Sequence, residues 1–181
     1  MDEARRTALR EATASGEARQ LGQSVTADGR PVGSLIDGVR IRAAVTQPDE
    51  RGSVTEILDP RWGLDDEPLV YVYQVTIRPG QRKGWAMHKR QADRLFFSLG
   101  AIKVVLYDDR EGSPTRGMTN EFVFGDERRC LVRIPPGVWH ALTNVGQGEA
   151  LFVNCPTEPY RHDDPDKWVL PAENELIPSA P

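Results

Sequence analysis

Apolar positions change their period along this chain, and the change marks its organisation. Residues 2 to about 21 are rich in alanine, arginine, glutamate and leucine and hold no proline, which favours a helix. The apolar stripe there is thin, mostly alanine with Leu9 and Leu21. A surface helix or a frayed arm is therefore expected. Asp28-Gly29-Arg30-Pro31 reads as a turn or linker. From about Val39 to Pro156 the pattern becomes short apolar runs broken by glycine, proline and aspartate. The strand candidates are Val39–Val45, Leu69–Ile77, Arg94–Leu99, Ile102–Tyr107, Glu121–Phe124, Cys130–Ile134 and Leu151–Asn154. Many short strands between turns predict an all-β sandwich or barrel. The proline-rich, acidic tail from Pro156 onward is expected to wrap over the barrel without regular structure. The division expected is an arm and linker over 1–33, a barrel with a wrapping segment over 34–171, and a tail over 172–181.

At 181 residues the chain suffices for one well-buried domain plus an extension, not for two ordinary domains. A net charge of −4 with no basic block argues against nucleic acid as a partner, but a local arginine cluster can still bind a small anion. No apolar run approaches the roughly 20 residues that span a membrane, and Met1-Asp2-Glu3-Ala4-Arg5-Arg6 lacks the apolar core of a signal peptide. Cys130 and Cys155 sit in apolar strand-like contexts without metal spacing and read as buried free thiols. A cytoplasmic protein is expected, with no membrane partner.

Two spaced segments carry the chemistry. Ile134-Pro135-Pro136-Gly137-Val138-Trp139-His140 continues to Asn144 as P-x-G-x-x-H-x-x-x-N. Proline and glycine predict a tight turn that aims His140 inward from a strand. Upstream, Ala86-Met87-His88, four residues, Asp93, six residues and Gly100 keep the spacing H-x-H-x4-E-x6-G, with alanine for the first histidine and aspartate for the glutamate. Together they resemble the two signatures of the cupin barrel, a double-stranded β-helix or jelly roll. The fold expected is thus an all-β cupin barrel with a short N-terminal helical arm.

Four segments in order further resemble the dTDP-4-dehydrorhamnose 3,5-epimerase-like family of nucleotide-sugar enzymes. Asp49–Glu56 is similar to D-x-R-G-x-x-x-E, and Lys83-Gly84-Trp85-Ala86 to R-G-x-H. Asp108–Thr115 is similar to D-x-R-x-x-S-P-T, and Ile134–His140 to I-P-x-G-x-x-H. The resemblance implies proton abstraction beside a 4-keto group by a histidine held by a carboxylate, with a tyrosine on the opposite face returning a proton. It implies no cofactor and a homodimer that exchanges the strand carrying Arg51 to Glu56. The same resemblance places Ala86 at the base and Asn154 at the acid, and neither is a proton carrier.

Replacement groups follow. His88 shares a strand face with Ala86 and can serve as base, with His140 beside it. Tyr73, Tyr107 and Tyr160 are candidate acids, and Tyr73 is the one taken. Arg51, Arg110 and Lys83 are candidates for phosphate contacts. Glu56, Trp85, Ala86, Arg94, Trp139 and Asn154 complete the expected substrate-binding set. His162, among aspartates, reads as solvated. His88, Asp93 and His140 could form an open two-histidine, one-carboxylate centre, but Ala86 stands where the usual fourth ligand would be, so no metal is expected. The function read here is an epimerase or isomerase of a nucleotide-linked 4-keto-6-deoxy sugar. The alternatives are a non-catalytic cupin binding a sugar nucleotide or other small ligand, and a metal-dependent cupin enzyme.

Overall fold

The structure, a computed structural model, describes residue 7 and residues 33–177. The helical arm expected over residues 2 to 21 lies outside these, Thr7 apart. Residues 35–177 belong to one compact unit whose regular elements, apart from one 3-10 turn at Pro60–Trp62, are strands. In chain order these are β1 (Arg40–Ala43), β2 (Thr46–Asp49), β3 (Gly52–Thr55), β4 (Tyr73–Ile77), β5 (Arg82–Met87) and β6 (Asp93–Leu99). After them come β7 (Ala101–Asp108), β8 (Thr119–Gly125), β9 (Cys130–Ile134), β10 (Val138–Asn144), β11 (Ala150–Asn154) and β12 (Trp168–Val169). No helix among the described residues is long and apolar enough to cross a membrane.

Two five-stranded antiparallel sheets result, ordered β1-β9-β6-β11-β4 and β12-β5-β10-β7-β8. The all-β expectation holds, with both signature segments on strands of the second sheet and the start of β6 in the first. Two elements differ from expectation. The tail is not without regular structure: Trp168 and Val169 pair with Met87 and Ala86, adding β12 to the edge of β5. Residues 46–55 form a separate two-stranded hairpin, β2 against β3, that joins neither large sheet.

The core fills the space between the sheets. Alternation along β6, β7 and β11 sends Leu95, Phe97, Val104, Leu106 and Phe152 inward. Phe97 meets Phe124 at 5.3 Å and Phe152 at 5.8 Å between ring centroids, tilted packing that favours edge contacts. Cys130 and Cys155 are buried free thiols, and burial pushes the Cys130 thiol up to about 12. At one end the core members Leu95, Leu142 and Phe152 also line a cavity.

Candidate active site

The proline-glycine turn forms as expected. Val138 N–H donates to Pro135 carbonyl at 3.4 Å, and Gly137 sits at φ +82, a conformation that favours glycine. Gly137 N–H also donates to the His88 carbonyl at 2.7 Å, tying the two signature segments together. His140 then enters on β10 opposite Ala86 of β5. The chains approach closely here: a Cβ on Gly84 would lie 2.5 Å from the His140 carbonyl oxygen, and Gly84 has φ +97. Only glycine fits that crossing.

His88, just after β5, and His140 present their Nε2 atoms to one carboxylate oxygen. Asp93 Oδ2 lies 3.3 Å from His88 and 3.5 Å from His140. The imidazoles are 5.6 Å apart. The other oxygen, Asp93 Oδ1, accepts from Gln91 Nε2 at 3.0 Å and Asn154 Nδ2 at 2.9 Å. Asn154 Nδ2 also donates to the Tyr73 hydroxyl at 2.9 Å. A continuous polar line therefore runs from His140 on the second sheet and His88 in the turn after β5, through Asp93 and Asn154, to Tyr73 on the first. Because Tyr73 accepts from the amide, its own O–H is left to donate elsewhere.

The charges follow from this arrangement. Burial favours protonation of Asp93, but the His88 hydrogen bond, both histidine charges and Asn154 win, and its carboxyl is held well below the usual carboxylate range. Burial also works against a charged His88. The hydrogen bond and charge of Asp93, helped by Asp166, outweigh it and raise the His88 pKa above that of ordinary imidazole. His140 goes the other way: its fuller burial outweighs Asp93, and its pKa is lowered. Tyr73 is pushed up to about 12 by burial and then by the Asp93 charge, so it stays protonated.

The cavity these groups line measures about 400 Å³. Tyr73, Val75 and Asn154 face it from the first sheet, and Lys83, Ala86 and His140 from the second. The C-terminal segment supplies a further wall with Tyr160, Arg161, Asp166 and Lys167. Lys83 and Lys167 make no ion pair among the described residues, so their charges are available to an anion.

Six expected binding residues lie elsewhere. Arg94 follows Asp93 on a strand, so it must face away from the cavity. It is 2% exposed, pairs with Asp65 at 3.1 Å, and donates to the carbonyls of Glu67, Pro68 and Cys155. It anchors the 57–72 loop. Trp85 and Trp139 alternate with Ala86 and His140 and so pack on the outer face of the sheet, around Val105, Tyr107 and Ile177. Tyr107 is thereby also removed from the candidate acids. Arg110 is held by the buried Asp108 (2.9 Å), which also accepts from Ser113 and Thr115 at 2.6 Å each. It locks a turn rather than facing the cavity. Arg51, at the hairpin tip, pairs with Asp49 at 2.6 Å, and Glu56 follows the same hairpin outside the cavity of its own chain.

Arg90, Gln91, Tyr71, Arg161, Asp166 and Lys167 line the cavity without having been expected there. Gln91 and Asp93 share a face two residues apart, a signal present in the sequence. His88, Asp93 and His140 offer ligand atoms within 4.8 Å of one another and are the set among the described residues that could hold a metal ion. The proton chemistry open to them needs none.

A two-sheet barrel with paired histidines and a carboxylate lining one cavity defines a cupin fold. No protein-family profile matches the chain. It is 34% identical over 138 residues to a probable low-salt glycan biosynthesis epimerase of Haloferax volcanii, covering 75% of this chain and 88% of that protein. It is 33% identical over 147 residues to a spore coat polysaccharide biosynthesis protein of Bacillus subtilis, covering 79% and 94%. The crystal structure of a dTDP sugar isomerase from Desulfovibrio desulfuricans matches with a TM-score of 0.75 at 29% identity, covering 80% of this chain and 91% of that one. The chain belongs to the dTDP-4-dehydrorhamnose 3,5-epimerase-like family of the cupin superfamily.

Proposed function

We propose that this protein epimerises or isomerises a nucleotide-linked 4-keto-6-deoxy sugar by removing a proton beside the keto group. The observation that carries this reading is the polar line from His88 to Tyr73, which puts a base in the turn at the end of β5 and a protonated phenol on the other sheet. In its neutral form His88 takes the acidic proton through Nε2, and Asp93 stabilises the imidazolium that forms. The enolate is then protonated from the opposite side by the Tyr73 hydroxyl, inverting the carbon. Lys83 and Lys167 attract the nucleotide diphosphate. Ala86, small and facing the cavity, leaves room for the sugar where the resemblance puts the family's base.

Incubation with dTDP-linked 4-keto-6-deoxy sugars in deuterated water should place solvent deuterium at C3 or C5 of the recovered sugar. Absence of deuterium from every such substrate would reject the catalytic reading. Ala86 at the family's base position also favours a second reading, a ligand-binding cupin without turnover. Calorimetric binding of these sugars with no isotope exchange would select it.

The hairpin supports a homodimer. Its strands pair with neither large sheet, Val54 is 69% exposed, and β4 leaves an open sheet edge preceded by exposed Leu69 and Val70. Exchange of this hairpin between copies would cover such an edge and bring Arg51 and Glu56 to the partner's cavity. Sedimentation equilibrium should then give twice the chain mass at micromolar concentration, and a monomer there would refute the exchange.

A further inference from the structure

His88 stands at the start of a turn, residues 88–92, that belongs to no strand. Besides the Gly137 N–H bond to the His88 carbonyl, the C-terminal segment grips it, and one residue there supplies most of those contacts. The Asp166 carboxylate accepts three consecutive backbone N–H groups: Lys89 at 2.9 Å, Arg90 at 2.7 Å and Gln91 at 3.0 Å. The main-chain carbonyl of the same Asp166 takes Nδ1–H of His88. Side chain and backbone of one residue therefore hold the turn and the ring together. Around it, Arg90 pairs with Asp164 at 2.9 Å, Lys89 lies 3.7 Å over the Trp168 ring, and β12 pairs with β5.

A hydrogen bond on one imidazole nitrogen decides what the other can do. With Nδ1–H committed to Asp166, the atom facing Asp93 and the cavity is Nε2. The groups that face His88 are Asp93 from β6, His140 from β10, and Asp166 from the C-terminal segment. Of these, Asp166 meets Nδ1. We infer that Asp166 is a positioning residue, which fixes the ring plane and tautomer of His88 so that Nε2 carries the proton in catalysis. The inference rests on the reading of His88 as the proton carrier. A residue that only stapled the turn would act the same whether or not an imidazole were present.

The test uses the full chain and the deuterium-exchange assay with a dTDP-linked 4-keto-6-deoxy sugar. Asp166→Ala should lower kcat roughly 10- to 100-fold, the usual cost of losing a group that orients a working histidine, with KM little changed. In a His88→Ala background the same substitution should cost nothing further. Equal losses in both backgrounds would overturn the proposal. Asp166→Asn keeps an oxygen for the Arg90 and Gln91 N–H groups and should recover most of the rate, and it carries the same comparison if the alanine variant does not fold.

Nitrogen-15 NMR of histidine-labelled protein gives a readout that needs no substrate, and the chain has three histidines to assign. His88 should show a protonated, slowly exchanging Nδ1 in the wild type. Asp166→Ala keeps the main-chain carbonyl but frees it from the turn, so this proton should exchange much faster there and less so in Asp166→Asn. An unchanged His88 spectrum would overturn the positioning role. If the wild type shows no isotope exchange at all, the catalytic reading fails, and the spectra still decide whether Asp166 sets the tautomer.

Discussion

His88→Ala should lower the rate of isotope exchange and of product formation by about 100-fold or more, the usual contribution of a positioned proton-transfer group. Binding of the nucleotide sugar should change far less, because Lys83 and Lys167 remain in the cavity wall. The pH profile supplies an independent check. His88 works as a base only when neutral, and Asp93 raises its pKa. Activity should therefore fall with decreasing pH through a value above that of ordinary imidazole. Removing the carboxylate in Asp93→Asn takes away the interaction that holds the proton, so the acid limb should move to lower pH. Unchanged turnover in His88→Ala would take this residue out of the mechanism, while the fold would stand.

Tyr73→Phe should separate the two halves of the reaction. Phenylalanine keeps the ring in the cavity wall and removes only the hydroxyl that Asn154 bonds. The base remains, so deuterium should still enter the carbon from the His88 side. Formation of the inverted product should fall by about 100-fold, because the acid on the other sheet is gone. With its pKa pushed up to about 12, Tyr73 should impose no alkaline limb across the neutral range. Full retention of product formation would exclude Tyr73 as the acid and turn attention to Tyr160, which lines the same cavity.

The sequence carried the turn before His140, the spacing from His88 to Asp93 and most of the strands, since each depends on neighbours in the chain. Three misplaced residues were also open to correction from it. Arg94 beside Asp93, Trp85 beside Ala86 and Trp139 beside His140 cannot share a face on an extended strand. The period-two rule already sent one of each pair outward. Arg110 had its partner Asp108 two residues away, so its structural role was equally legible. The wall made by residues 158–167 was not. Its polar, proline-rich composition has no period, and Asp166 meets Lys89 to Gln91 across more than 70 residues of chain. The pairing of Tyr73 with Asn154 was hidden for the same reason, as it depends on the β4–β11 register.

The placing of His140 on one sheet, with His88 in the turn directly after its neighbour β5, and of Tyr73 on the other makes the width of the reaction gap largely a property of the barrel. Two packed sheets stand about 10 Å apart, and here that separation is set by Phe97, Phe124 and Phe152, not by a loop. A sugar ring held in the gap meets walls whose spacing is as stiff as the core. Individual proton carriers can then be exchanged for neighbours on the same wall without moving the substrate. A histidine two residues along from Ala86, and a tyrosine one strand over from Asn154, are the substitutions such a frame permits.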